Sequence, residues 1–196
     1  MQDTATSLGD HTPKARILVM PASTRSVSLN QALGKLLTNR IRETGDRASL
    51  VHLAEYPMPM YDGDVEQRDG VPESAVRLVE LVKEAEVLIL VSPEYNGSFP
   101  ALLKNTYDWM SRVDRRCLVG MTVMLASAAP GERGGRRGLD MLRTFMTNVH
   151  ATVPDLMLAA GSLSLDGEGT IAGYDNNTIT EFVDQAVSAA RATTKS

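Results

Sequence analysis

A chain of 196 residues with 43% hydrophobic content can bury one substantial core and is short for two domains. Its formal net charge of −4 and sequence pI near 5.4 argue against nucleic acid or anionic membrane as principal partner, and no apolar run approaches the roughly 20 residues needed to span a bilayer. The single cysteine, Cys117, rules out an intrachain disulfide and fits a reducing compartment, so the cytoplasm is the expected location.

Residues 1–15 are polar, include Asp3 and Asp10, and lack the apolar centre of a signal peptide; they read as a flexible tail ahead of one domain over 16–193. Arg16-Ile17-Leu18-Val19-Met20 reads as the first strand. A helix is predicted over 28–44, with Leu29, Leu33, Leu36, Leu37 and Ile41 on one face and Gly45 closing it. A second strand is expected over 49–53, followed by the Pro- and Met-rich stretch 55–64, rigid and apolar, read either as an interface or access segment or as a plain loop. The next helix, 72–85, turns Leu78, Val79 and Val82 inward. Val87 to Val91 is an unbroken apolar run, the mark of a parallel strand buried on both faces, and Pro100 suits the first turn of the helix after it. A fourth strand is predicted over 121–125. A helix with Leu139, Leu142, Phe145, Met146 and Val149 inside follows, then a short strand over 153–158. A last helix carries Ile179, Phe182, Val183, Ala186 and Val187. Strands alternating with helices imply a parallel sheet covered on both faces.

Two strand-to-helix loops carry chemistry. The first, Ala22-Ser23-Thr24-Arg25-Ser26-Val27-Ser28-Leu29-Asn30, leads into a helix N-terminus, where unpaired N–H groups and the positive end of the dipole favour a phosphate. Hydroxyls, an amide and one arginine add directed donors; an ordinary helix cap is the plainer reading of the same residues. In the second loop, after Val91, Gly97 permits a tight turn or a close backbone approach, and ligands of open α/β sheets sit at such carboxyl ends of strands. Other chemistries fail. His11, His52 and His150 are scattered and lack metal-ligand spacing, no Gly-x-Ser-x-Gly elbow occurs, and Cys117 has no context that would activate it. Gly167-Glu168-Gly169-Thr170-Ile171-Ala172 matches a dinucleotide pattern but leads into no helix and reads as a turn. Tyr107, Trp109 and Met110 read as core or contact residues rather than ligands.

Pro93-Glu94-Tyr95-Asn96-Gly97-Ser98, followed by Pro100, Leu103-Lys104-Asn105 and Asp108-Trp109, resembles the NADPH-dependent FMN reductases, flavodoxin-like proteins related to azo-dye, quinone and chromate reductases. The resemblance implies a three-layer α/β/α sandwich with five parallel strands in the order 2-1-3-4-5. It also implies an FMN-dependent NAD(P)H oxidoreductase, with NADPH as cosubstrate, that passes hydride in ping-pong fashion to FMN and then to a flavin, quinone, azo or metal-oxyanion acceptor. A flavin-binding electron carrier or redox sensor is the alternative. Where the family has Gly-Ser-x-Arg-x-x-Ser-x-Asn, this chain matches at Ser23, Arg25, Ser28 and Asn30, the implied phosphate ligands. Ala22 replaces the family glycine, placing a methyl group where positive φ or close contact is often needed. The resemblance assigns the ring slot to Pro93, Glu94, Tyr95, Asn96 and Gly97, with main-chain groups of 94–96 on the polar edge of the isoalloxazine. It assigns to Ser127 and Gly131 a loop closing over the flavin. In that loop Arg133, Arg136 and Arg137 either attract the 2′-phosphate of NADPH or form a solvated basic surface. Bound FMN carries the redox step, so no catalytic side chain and no metal is expected, and relatives of this kind form homodimers or homotetramers.

Overall fold

The computed structural model describes residues 15–194. The predicted tail lies outside the described residues over 1–14, as does His11. Ala15 is fully buried, and its carbonyl accepts from the Arg47 N–H.

The alternating apolar pattern becomes a sheet with two covered faces. The strands are β1 (Arg16–Pro21), β2 (Arg47–Leu50), β3 (Val87–Val91), β4 (Thr122–Ala128) and β5 (Leu158–Ala160), all parallel in the order β2-β1-β3-β4-β5. Side chains alternate across a strand, so Ile17, Val19, Val87, Ile89, Val91, Met124 and Ala126 face one core while Leu18, Met20, Leu88, Leu90, Val123 and Leu125 face the other. Helices α1 (Leu29–Glu43) and α6 (Asn176–Thr194) cover the first face with Leu33, Leu37, Ile41, Phe182, Val183 and Ala186. The second face is covered by α3 (Glu73–Glu84), α4 (Ala101–Val113) and α5 (Arg136–Asn148) through Leu78, Val82, Leu103, Met110, Leu139, Leu142 and Met146.

Two local expectations are corrected. The second strand ends at Leu50, because Leu53 already begins a 3-10 turn (Leu53–Glu55). The fifth strand does not occupy 153–158: after an isolated bridge between Thr122 and Thr152, the chain leaves the ladder over a segment containing Pro154, which has no N–H to donate, and rejoins β4 only at Leu158. A short helix, α2 (Gly63–Asp69), and a hairpin of β6 (Ser164–Leu165) and β7 (Ile171–Ala172) complete the chain, and the discarded Gly-x-Gly pattern is the turn of that hairpin.

The proline-rich stretch is strapped to α4. Asn105 accepts from the Tyr61 N–H at 2.7 Å and donates to the Pro59 carbonyl, which also accepts from the Trp109 indole at 2.8 Å. Trp109 is completely buried, as its structural reading required, and Tyr61 meets it edge-on at 5.1 Å.

Chain closure rests on one carboxylate. Asp46 accepts from Ala15 N–H, the Thr44 hydroxyl and Arg191. Burial works to raise its pKa, but the hydrogen bonds from Arg191 and Thr44 and the guanidinium charge outweigh it and hold the carboxyl below its ordinary value. A depressed folded-state pKa contributes stability that is present above the unfolded value near pH 4 and is lost as pH falls through the folded value. Asp46→Asn is therefore expected to cost about 1–2 kcal/mol at neutral pH and to flatten the acid limb of stability, as read by urea unfolding between pH 7 and pH 3.

Candidate active site

The carboxyl ends of β1, β3 and β4 meet at one cleft of about 510 Å³, within the range of roughly 300–1,000 Å³ usual for small-molecule sites. The order β2-β1-β3 is where the chain reverses direction across the sheet, so the loop after β1 and the loop after β3 share its walls. Ser23, Arg25, Ser28, Asn30, Pro93, Glu94 and Tyr95 all line it, joined by Ala128, Ala129 and Pro130 from the β4 loop.

On the β1 side, Ser28 is the N-cap of α1, its hydroxyl accepting from Gln31 N–H, while the Gln31 amide donates to the Ser23 carbonyl at 2.8 Å. The N–H groups of Leu29 and Asn30 in the first helical turn take no acceptor among the described residues, and the exposed Arg25 guanidinium pairs with none of them. Free first-turn amides and a free guanidinium are the donor set a phosphate requires. Ala22 does not obstruct it. Its φ is not positive, its N–H continues the ladder to the Val91 carbonyl at 2.9 Å, and its methyl packs into the core on the α3 side.

Asn30 is placed differently from the other three. Its Nδ2 donates to the Ala128 carbonyl and its Oδ1 accepts from the Ala128 N–H, both at 2.9 Å, so the amide ties the start of α1 to the end of β4. The side chain is buried and acts on the loop as a clamp.

On the β3 side, Tyr95 and Ser98 exchange backbone hydrogen bonds of 2.8 and 3.1 Å around Asn96 (φ 52°) and Gly97 (φ 77°). Positive φ at both central residues is the two-residue hairpin turn for which Asn-Gly is the preferred pair. Asn96 and Gly97 thus form the turn that presents Glu94 and Tyr95; neither lines the cleft. The Glu94 carboxylate accepts from the Gly138 N–H at 3.0 Å, capping the first turn of α5 and leaving its main chain to the cleft.

The β4 loop contains one correction. Ser127, the next-to-last residue of β4, is fully buried and its Oγ has no hydrogen-bond partner among the described residues, because the period of two turns it toward α5, beneath Gly135, while Ala128 takes the cleft wall. Its side chain therefore does not line the cleft. Gly131 instead lines an adjoining cleft of about 450 Å³ with Glu132 and Arg133, reached past Glu94 and Ala129. Arg136 pairs with Asp140 at 3.0 Å, while Arg133 and Arg137 are exposed. Cys117 is buried, and burial foremost, with the Asp114 carboxylate, pushes its thiol up to about 11, which leaves it protonated and unreactive. Among the described residues, no group of three or more His, Cys, Asp or Glu is arranged to hold a metal.

Fold and cleft together define a flavodoxin-like protein whose cleft opens at the β1 and β3 loops, where open α/β sheets take their ligands. Residues 15–162 match the model of the NADPH-dependent FMN reductase family, and the chain belongs to that family. It is similar to a quinone reductase of Escherichia coli K12, 31% identical over 140 residues that cover 71% of this chain and 73% of the relative. An NADPH azoreductase of Bacillus sp. OY1-2 is 27% identical over 154 residues, 78% of this chain and 81% of the relative. Among solved structures, the flavoenzyme NAD(P)H:(acceptor) oxidoreductase FerB of Paracoccus denitrificans superposes with a TM-score of 0.74 at 24% identity, covering 91% of this chain and 98% of that one. Membership makes the chain an oxidoreductase with FMN as cofactor and NAD(P)H as cosubstrate, and the cleft fits that nucleotide.

Proposed function

We propose that this protein binds FMN in the cleft between the β1 and β3 loops and oxidises NAD(P)H, delivering the electrons to a small diffusible acceptor such as a quinone, azo compound, free flavin or metal oxyanion. The observation that carries this reading is the convergence of unpaired phosphate donors and a preformed ring-edge loop on one cleft. FMN supplies the two-electron relay there. The residues do the holding. Arg25 and the Leu29 and Asn30 N–H groups take the phosphate, with the Ser23 and Ser28 hydroxyls beside them. Main-chain groups of Glu94 and Tyr95 hold the polar ring edge, and Tyr95, 47% exposed at the rim, leaves room for a planar partner to stack. One open cleft serves donor and acceptor in turn, which is the structural basis for ping-pong exchange.

Phe99, Tyr107 and Phe145 form a half-buried aromatic cluster between α4 and α5, with exposed Met141 on the same helix as Phe145. That surface supports a homodimer or homotetramer, and the buried Cys117 thiol is compatible with a cytoplasmic location.

The test is an absorbance spectrum after FMN addition and desalting, then NADPH without oxygen. Retained flavin that bleaches is expected; retained flavin that stays oxidised would indicate a carrier or sensor instead. Arg25→Ala is expected to weaken FMN binding about 10- to 100-fold, the loss of one charge-assisted contact worth about 1.5–3 kcal/mol. Unchanged FMN retention in that variant would remove Arg25 from the phosphate site.

A further inference from the structure

Beyond the phosphate loop the cleft does not end. A second cleft of about 450 Å³ adjoins the first, and Val27, Ser28 and Leu165 line both. One wall is a stripe of α1 at helical spacing, Ser28, Gln31, Ala32 and Lys35, and the other is the tip of the β6–β7 hairpin, Gly167, Glu168 and Gly169, with the Glu168 carboxylate exposed across from the Lys35 ammonium. Lys35 is exposed, and its ammonium pairs with none of the described residues. His52, two residues past β2, lines the cleft with an Nδ1 that is itself buried and has no hydrogen-bond partner among the described residues, and Leu50 adds an apolar surface. A polar nitrogen without a partner is costly to bury and signals a group meant to be bonded.

The first cleft holds a ring slot and a phosphate cradle, and past the shared Val27, Ser28 and Leu165 the second holds a free cation, an apolar surface and an unpartnered ring nitrogen. FMN ends at its phosphate, whereas FAD continues through a second phosphate to adenosine. We propose that the second cleft is an adenylate subsite and that the protein binds FAD as well as FMN, with the AMP half of FAD between α1 and the β6–β7 hairpin. Lys35 meets the second phosphate, His52 bonds the adenosine, and Leu50 and Leu165 flank the base. The proposal rests on the reading that FMN occupies the first cleft.

The test is a fluorescence titration of flavin-free protein with FMN and with FAD, in the parent chain, Lys35→Ala and His52→Gln. FAD is expected to bind at least as tightly as FMN. Lys35→Ala should weaken FAD about five- to tenfold while changing FMN less than twofold, and 5′-AMP should compete with FAD but not with FMN. Exposed Lys35 carries the comparison even if His52→Gln is poorly folded. FAD bound tenfold more weakly than FMN by the parent chain would overturn the adenylate subsite and leave the FMN reading standing. Failure of both flavins to bind would overturn both readings. If Lys35→Ala raises KM for NADPH in the FMN-loaded enzyme and leaves FAD affinity alone, the adenylate is that of the nicotinamide substrate and the FAD assignment falls.

Discussion

Replacing Asn30 by leucine is expected to destabilise the flavin-free protein by about 2–5 kcal/mol and to abolish FMN retention on desalting. Two 2.9 Å bonds join its amide to the Ala128 carbonyl and N–H. Leucine has similar volume but removes donor and acceptor together, leaving the Ala128 N–H and carbonyl buried and unpaired, at about 1–3 kcal/mol each. The start of α1 would then lose its tie to β4, and the first-turn N–H groups would lose their aim into the cleft. Thermal unfolding without flavin separates this clamp from a direct phosphate ligand. A ligand-only role predicts weaker FMN binding at unchanged apo stability, and that result would discard the clamp. Asn30→Asp sharpens the contrast, because it keeps an acceptor for the Ala128 N–H yet sets a carboxylate oxygen against the Ala128 carbonyl.

The asymmetry between what the sequence made legible and what it hid has a physical origin. Apolar runs such as Val87 to Val91 are legible because a strand buried on both faces has no polar position to confuse its period. The turn at Asn96-Gly97 is legible because few residues accept positive φ at both centres. The Asn30 clamp was not, since its partner lies 98 residues away and is a backbone group with no residue identity to read. The burial of the Ser127 side chain was hidden because Ala126-Ser127-Ala128 contains no large residue to say which side faces a core, and only the register of β4 on β3 settles it. The fifth strand slipped for a related reason. The apolar residues of 153–158 suggested a strand, but Pro154 interrupts the ladder and the residues that pair are the weaker strand formers Leu158, Ala159 and Ala160. The β6–β7 hairpin, two residues a side, is too short to show a period at all.

Gly134→Ala is expected to cost about 2–4 kcal/mol and to remove NADPH turnover, whereas Gly131→Ala should leave stability within about 0.5 kcal/mol. Both glycines sit in the same loop, and the difference is what surrounds them. At Gly134, φ is +56° and a Cβ would come closer than 3.0 Å to backbone atoms of Ala159 and Ala160, which cannot swing aside as a side chain would. At Gly131, φ is not positive and nothing lies within 4 Å of the added atom. The loop is fastened along its length, with Ala129 N–H on the Ala160 carbonyl and the Gly131 carbonyl accepting from Ser162 N–H. An alanine at 134 therefore has to lift the loop off β5 rather than bend locally. Ala129, Gly131 and Glu132, which wall the cleft adjoining the ring-edge loop, would move with it. The phosphate cradle belongs to β1 and α1, so FMN affinity should fall far less than turnover, and the two are read separately by flavin titration and by steady-state kinetics. Equal losses in both would mean that the β4 loop holds the flavin itself, and the division of labour between cradle and covering loop would have to be given up.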